Sequence, residues 1–184
     1  MEKVVISILD YNQKDTTLEC LASLEKIDTT GLDVSVIVID NYPKATLFFD
    51  TSKYKKITVS ITKTPDNLGF SGGHNVGLAR AIRENADYVI VLNNDVIVDK
   101  KLVLRLVAAA KTSPKIGAVV PKIYFMAGHE YHKDRYKKNE LGKVFWYAGG
   151  TFDWENINGK HRGVDEVDTG QYDNAEAIDL LTGC

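Results

Sequence analysis

The segment DYVIVLNNDVIVD, residues 87–99, constrains the fold more than any other stretch of the chain. Tyr88 to Leu92 is an apolar run dense in β-branched residues, which reads as a strand buried on both faces of a parallel sheet. It ends on Asn93, Asn94 and Asp95. Polar groups at the carboxyl end of a buried strand pack poorly, yet open α/β sheets bind their ligands just outside such ends. Asp95 is the only formal charge between Asp87 and Asp99. A lone carboxylate there suits a divalent cation that also holds a phosphate. A plain turn accounts for the same residues, because Asn and Asp favour turns.

The rest of the chain repeats this design. Val4 to Leu9 reads as a first strand running into Asp10, Tyr11 and Asn12. A helix follows from about Thr16 to Lys26, with Asp15, Thr16 or Thr17 as its cap. Val34 to Ile39 is a second strand ending on Asp40 and Asn41, and Pro43 breaks it. A short helix is expected over Lys44 to Asp50, and Ile57 to Ile61 forms a third strand. Then four glycines fall between residues 69 and 77. They open a helix whose apolar face is marked by Val76, Ala79, Ile82, Arg83 and Ala86. Free backbone N–H groups at such a helix start favour an anion, and glycine lets a phosphate come close. The pattern is neither G-x-G-x-x-G nor a P-loop. Tight helix–sheet packing explains the same glycines.

After the strand at Tyr88, Asp99 is placed to cap a helix over Lys100 to Lys111. Ile116 to Val120 is expected as a further strand, stopped by Pro121. The β-helix-β alternation implies an α/β, doubly wound, mostly parallel sheet of Rossmann-like type. Beyond Pro121 the texture changes. Ile123 to Ala127 and Val144 to Ala148 read as strands. Gly128 to Gly142 reads as a mobile charged loop, and Thr151 to Asn174 as a long stretch without secondary structure. Ala177 to Leu181 reads as a last strand.

Composition narrows the function classes. With 184 residues and 44% hydrophobic content, the chain makes one domain with a substantial core. A net charge of −2 leaves no electrostatic footprint for nucleic acid. There is no apolar run long enough for a transmembrane segment, and the N-terminus lacks the parts of a signal peptide. Cys20 and Cys184 give no disulfide framework, so a cytoplasmic setting is expected. His129 and His132 have a ligand-like spacing but no second pair to complete a metal site.

If the first strand is central, with the second on one side and the strand at Tyr88 on the other, the polar ends meet at a switch point. The assembled site then holds a metal-binding carboxylate, a carboxylate for a base or ribose, and an anion cradle. That set suits a nucleoside diphosphate.

The segments SILDYNQKDTTLECLASL, VIVIDNYP, DNLGFSGGHNVGLARAI, DYVIVLNNDVIVD, VVPKIYF and LLTGC resemble the family 2 glycosyltransferases of GT-A fold over nearly the whole chain. The run NLGFSGGHNVG with LNNDV is similar to a rhamnosyltransferase-like branch. The resemblance implies inverting transfer of a sugar from a dTDP- or UDP-sugar to a glycan or lipid-linked acceptor hydroxyl, in bacterial surface polysaccharide synthesis. It implies nucleotide-sugar contacts at Tyr11, Asn12, Asp40, Asn67, Gly69, Gly72, Gly73, Asn75, Asn94 and Asp95. Asp95 would hold a divalent cation, Mn²⁺ or Mg²⁺. The family's Asp-x-Asp motif reads Asn93-Asn94-Asp95 here, so only its last carboxylate is present. Asp10 stands where the family often has Thr or Val.

The resemblance also implies a general base in a Glu-Asp motif expected beyond Cys184. The chain then reads as a single nucleotide-sugar-binding domain over residues 1–184, truncated at its C-terminal side, with 121–184 beginning the acceptor-side region. The acidic cluster Asp165, Glu166 and Asp168 reads as a solvated loop rather than a substitute base. Peripheral association with the inner face of the membrane and pairing of copies through an exposed sheet edge are further expectations. Two rival readings are a non-catalytic nucleotide-sugar-binding module and a nucleotidyltransferase. The second ranks last, because Asp10 to Asp15 holds no glycine.

Overall fold

The computed structural model describes residues 1–183; Cys184, and with it the end of the LLTGC segment, lies outside the described residues. The described chain forms two compact units, Met1–Val107 with Gly183, and Ala108–Thr182.

The first unit is built on four parallel strands: β1 (Glu2–Asp10), β2 (Leu32–Asp40), β3 (Thr58–Lys63) and β4 (Tyr88–Asn93). Their order is β3-β2-β1-β4, so β1 is central, with β2 and β4 beside it, which meets the condition set for the polar ends to converge. Three helices accompany them: α1 (Lys14–Leu24), α2 (Gly69–Arg83) and α3 (Leu102–Ala110).

Side chains alternate across a strand, and this period of two sorts the unit into two layers. On β1, Val4, Ile6 and Ile8 point into one core with Leu21 and Leu24 of α1 and Val103 and Val107 of α3. Val36 and Val38 of β2 and Val59 of β3 join them. Burying each such side chain is worth about 1.5–3 kcal/mol. Val5 of β1 and Ile37 and Ile39 of β2 point the other way, into a smaller core closed by Ala81, Val76 and Leu9. That second core belongs to α2.

Several expected elements differ. The strand at Tyr88 is an edge of its sheet and not buried on both faces, with Val89 38% exposed. Its apolar run is long enough for a central strand, but run length does not report neighbours. No side chain caps α1, whose N-cap residue is Gln13; Thr17 instead turns inward to Asp10. No helix forms over residues 44–50. That stretch holds its shape through Asp40, described below, and through burial of Phe49. On α2, Ala79 and Ile82 face solvent, Ile82 at 74% exposure, and the buried positions are Gly73, His74, Gly77 and Ala81. The helix seats itself by these small residues together with Val76, which packs on the second core. Asp99 does hold the approach to α3, accepting the Lys101 N–H at 2.8 Å.

The second unit is made of short pieces. β5 (Ile123–Tyr124) pairs antiparallel with β6 (Phe145–Tyr147), and β7 (Gly150–Asp153) with β8 (Asn158–His161). The expected strand over residues 116–120 does not form. The stretch 151–174, expected to lack structure, contains most of the β7–β8 hairpin. Residues 177–181 form no strand; Leu180 packs across the Cβ positions missing at Gly150 and Gly159.

The charged segment 128–142 is fastened rather than loose. Glu130 is buried and accepts the N–H groups of Gly128 at 2.8 Å and Gly142 at 2.6 Å. Burial alone would raise its pKa, but the N–H groups of Gly142 and Gly128 outweigh that and hold the carboxyl below its ordinary value. The 165–168 cluster is tied down as well. Asp168 accepts from Lys122 Nζ at 3.0 Å and from the Tyr124 hydroxyl, and Glu166 accepts from Tyr172 at 3.0 Å.

Candidate functional site

The carboxyl ends of the four strands line up as one cross-strand row. Lys63 of β3 pairs in register with Asp40 of β2, and Asp40 with Asp10 of β1. Leu9 pairs with Asn93 of β4, so Asn94 follows at the level of Asp10. By the alternation above, Lys63, Asp40 and Asp10 all lie on the α1 face of the sheet. A Lys-Asp-Asp-Asn row is poor material for packing, and the sequence places it where the apolar strands stop.

Each member has a distinct set of bonds. Asp40 is 1% exposed, and the cation that meets it is Lys63 of the neighbouring β3. Oδ2 meets Lys63 Nζ at 3.1 Å and accepts the Leu47 N–H at 2.8 Å; Oδ1 accepts the Tyr42 N–H at 3.3 Å. Lys63 also donates to the carbonyls of Tyr42 and Ala45. Together these bonds curl residues 41–48 back over the end of β2. Asp10 is also 1% exposed, and its Oδ2 accepts the Thr17 hydroxyl at 2.6 Å. Asn94 Nδ2 donates to the same Thr17 oxygen at 3.0 Å. The ends of β1 and β4 are thus joined through α1 by a chain of two hydrogen bonds.

Between the start of α1 and the 41–48 segment lies a pocket of about 290 Å³. Asp10 and Asp40 form its polar floor, Asn12 and Lys14 its helix side, and Tyr42, Thr46, Leu47 and Phe48 its other wall. Phe48 is 78% exposed, its ring at the pocket wall rather than in a core. Asn12 takes the left-handed conformation at φ 56°, which Asn tolerates better than most residues. α1 begins at Lys14 with no side-chain cap, so its first-turn N–H groups and the Lys14 ammonium together favour an anion.

Of the residues expected from the sequence, Asn12 and Asp40 line this pocket. Tyr11 stands beside it, its ring edge-on to Tyr42 at 5.2 Å. Asn67, Gly69, Gly72, Gly73, Asn75, Asn94 and Asp95 are not in its lining. The residues expected to gather around one ligand thus lie partly in this pocket and partly outside its lining. Gly73 and Gly77 lie against the face of β1 opposite Asp10. A Cβ on Gly73 would stand 2.3 Å from Leu9, and one on Gly77 2.3 Å from Ser7 Oγ. A Cβ on Gly72 would meet Leu68 at 2.8 Å. These glycines admit the strand and the helix's own first turn. Gly69 differs, with φ +67° and open space around its Cβ position.

The start of α2 is organised by Asn41, the residue after Asp40 and on the other face. Its amide donates to Asn67 Oδ1 at 2.9 Å and to the Gly69 carbonyl at 3.3 Å, and accepts from Leu68 N at 3.0 Å and the Thr64 hydroxyl at 3.1 Å. Asn67 Oδ1 also accepts the Gly69 N–H at 2.9 Å. Asn75 is exposed on this helix. His74 is buried against Ser7, Nδ1 to Oγ 3.0 Å, and its Nε2 has no partner. Burial pushes the His74 pKa below its ordinary value, which keeps the ring neutral.

Asp95 is exposed, one residue beyond the buried Asn94. A Mg²⁺ or Mn²⁺ ion shared with a diphosphate needs only one or two protein carboxylates, and Asp95 offers one hard oxygen donor with room for the rest of the shell. Among the described residues no three His, Cys, Asp or Glu side chains gather to hold a metal alone. His132 instead meets Asp165, Nε2 to Oδ2 3.3 Å. Cys20 lies buried under this end of the sheet. Burial chiefly, with the nearby Asp95 charge adding to it, pushes its thiol up to about 12, so it is no nucleophile.

Asp10 is the residue that sequence reasoning passed over. It was visible only as a charge ending a buried strand in register with Asp40. Thr17 and Lys63 carried no signal, because their roles depend on a helix face and a strand register.

Residues 5–167 match the sequence pattern of the family described as Glycosyl transferase family 2. No curated protein matches the chain. Among solved structures, a fragment of TarS from S. aureus is similar at 22% identity, covering 72% of this chain and 44% of that one, with a TM-score of 0.49. The same fragment in complex with UDP is similar at 24% identity over 66% of this chain and 38% of that one, TM-score 0.49. With UDP-GlcNAc it is similar at 25% identity over 66% and 37%, TM-score 0.46. The chain thus spans less than half the length of these solved relatives. Among the described residues no helix is long and apolar enough to cross a membrane.

Proposed function

Because this chain belongs to glycosyl transferase family 2 and has its GT-A-like, mostly parallel α/β sheet, we propose that it binds a nucleoside-diphosphate sugar at the carboxyl ends of β1 and β2. The observation that carries this reading is the pocket over Asp10 and Asp40, with Lys14 and the uncapped start of α1 at its side. Acceptors on the floor suit a base or ribose, which carry N–H and O–H donors. The exposed aromatic wall suits a planar ring. The cationic helix start suits the diphosphate.

The parent reaction on this reading is inverting transfer of the sugar to an acceptor hydroxyl of a glycan or lipid-linked chain, in bacterial surface polysaccharide synthesis. Rhamnose from a dTDP donor, or a hexose from a UDP donor, is the transferred group. Lys14 and the α1 N–H groups stabilise the leaving diphosphate. A divalent cation, when bound at Asp95, supplies Lewis-acid stabilisation of the same charge. The Asp10–Thr17–Asn94 chain fixes the backbone from which Asp95 projects. A carboxylate general base outside this pocket completes the chemistry.

Calorimetric titration of the folded chain with UDP and dTDP, each with and without Mn²⁺, tests this. Binding of at least one, strengthened by Mn²⁺ and lost in Lys14→Glu, is the expected result. A folded chain that binds neither nucleotide overturns the reading.

A further inference from the structure

The two edges of the four-stranded sheet are built differently. On β3, Thr58, Ser60 and Thr62 alternate with apolar residues, and the strand ends on Lys63. Polar residues and lysine are the usual protection of an edge strand. β4 has none of it. From Tyr88 to Leu92 it is apolar throughout, without charge, proline or glycine. Val89 is 38% exposed and Val91 half-buried on the α2 face, and Ile90 is half-buried on the other. The backbone of this edge is open as well. The Asp10 carbonyl accepts the Asn41 N–H, so Asp10 faces β2, and by alternation Val5 and Ser7 face β4. In a parallel pair, the residue opposite such a position turns its own N–H and C=O away. Val89 stands opposite Val5 and Val91 opposite Ser7, so both valines point these groups outward. Among the described residues no strand pairs with them. Open N–H and C=O groups along an apolar strand are a template for another strand.

We propose that a second copy of this chain pairs with β4 in antiparallel fashion about a twofold axis, joining two four-stranded sheets into one continuous sheet. A twofold contact needs a self-complementary strand, and the charges of this one choose its register. Outward-turned residues must exchange hydrogen bonds with outward-turned residues, which puts the axis at Val89, Ile90 or Val91. An axis at Val91 sets Asp87 against the partner's Asp95, two like charges directly opposite. An axis at Val89 sets Asp87 against the partner's Val91 and shortens the apolar overlap. An axis at Ile90 avoids both. It sets Val89 on the partner's Val91, Tyr88 on the partner's Leu92 and Ile90 on the partner's Ile90, so every inner pair is apolar on both faces. Asp87, whose Oδ2 already accepts the Lys3 N–H at 2.8 Å, then faces the uncharged Asn93 of the partner. Asp95 falls beyond the last apolar pair, level with the partner's Asn85, and stays at the rim.

Sedimentation of the chain at micromolar concentration tests this, with no nucleotide or metal present, so the result is independent of the nucleotide-sugar reading. Wild type should sediment as a dimer. Val89→Lys and Val91→Lys, each shown folded by circular dichroism, should weaken dimerisation by about tenfold or more. Ile157→Lys, at an apolar residue 80% exposed on the β7–β8 hairpin, should leave the dimer unchanged. Disulfide trapping reads the register, in a Cys184→Ser background where the remaining Cys20 is buried. Val89→Cys mixed with Val91→Cys should cross-link on mild oxidation, because the two Cα atoms would lie about 5.5 Å apart, within the reach of a disulfide. Neither variant should cross-link alone, since its own copy across the axis lies two residues along the strand. Trapping does not depend on the lysine variants folding. A wild-type monomer, open-ended association, a dimer untouched by both lysine changes or dissolved by Ile157→Lys, or a disulfide formed by either cysteine variant alone overturns the proposal.

Discussion

Strand β1 shows two faces that look equally functional in the sequence, and the structure packs them differently. One face ends on Asp10, beside Asp40, and leaves a hollow of about 290 Å³. The other carries Ser7 and Leu9, against which Gly77 and Gly73 press. Both are marked by residues that a compact core does not ask for: carboxylates on one, glycines on the other. A glycine reports that something comes close to the backbone, but not what. At Gly73 and Gly77 the visitor is a strand. A buried carboxylate reports a donor nearby, and at Asp40 that donor is the protein itself. Only where a polar group faces space and lacks a full set of partners does the motif point to a ligand.

The largest effect expected from this comparison falls on the glycine face. A Cβ at Gly77 would lie 2.3 Å from Ser7 Oγ and 2.9 Å from Ser7 Cβ, on a β1 that cannot retreat because it is the sheet's central strand. Gly77→Val should cost about 3 kcal/mol or more, at or above the usual range for overpacking. Gly117 has nothing within 4 Å of its Cβ position, and Gly117→Val should stay within about 0.5 kcal/mol. Urea unfolding of the two variants decides the matter, and equal costs would break the packing account.

Next in size is the neighbouring pair Asp40 and Asn41, one on each face. Removing either to Ala strands several buried partners, a loss of roughly 2–3 kcal/mol in each case. Their functional consequences should part. Asp40→Ala should lower UDP affinity by about tenfold or more, because residues 41–48 lose their tie to β2. Asn41→Ala, which frees the start of α2 on the other face, should change it by less than about threefold. Similar losses of affinity in both would merge the two faces into one site.

The four strands and their parallel α/β class were legible in the sequence, because apolar runs such as VVISIL and VSVIVI have few other places to go; the central place of β1 entered only as a condition, and the edge place of β3 came from the structure. The pocket's half on Asn12 and Asp40 was legible for the same reason: polar residues ending such runs sit at the ligand edge of the sheet. The row that joins them was hidden. Lys63 belongs to it only through the β2–β3 register, and Thr17 only through the rotation of α1. The α2 glycines include the close helix–strand approach that the sequence also allowed, at Gly73 and Gly77. Of the apolar positions read as its seat, Val76 and Ala86 do pack on the core, whereas Ala79 and Ile82 face solvent and the fully buried positions include Gly73, Gly77 and Ala81, whose small size leaves little hydrophobic stripe. The second unit was least legible. Its strands run two to four residues, too short for periodicity to show, and Glu130 organises its charged segment through backbone N–H groups that sequence does not display.

Gly69 separates the two meanings of glycine within one helix. It lies at φ +67° with no atom within 4 Å of its Cβ position, so its need is conformational and not steric. Gly69→Ala should cost about 1–2 kcal/mol, the strain of a left-handed backbone with a Cβ, and Gly69→Asn less. If thermal melting shows Ala and Asn equally costly, crowding rather than conformation governs the position.

The smallest effect concerns the ring held between the glycines. His74 is buried on Ser7 with Nε2 unpartnered, and burial lowers its pKa below the ordinary 6.5. The native chain keeps it neutral at a pH where the unfolded chain already takes up a proton. Below about pH 6.5 the unfolded state therefore binds more protons, and stability falls as the pH falls until the native ring also titrates. This contribution is fully present above the unfolded pKa and drains away on the acid side, with a slope of no more than about 1.4 kcal/mol per pH unit. His74→Gln keeps a partner for Ser7 and cannot titrate. Melting temperatures from pH 7.5 to 5 should therefore fall less steeply for the variant than for wild type. A wild-type slope no steeper than the variant's would mean that Nε2 finds a proton acceptor on the α2 face, and that this face is more open than its glycines imply.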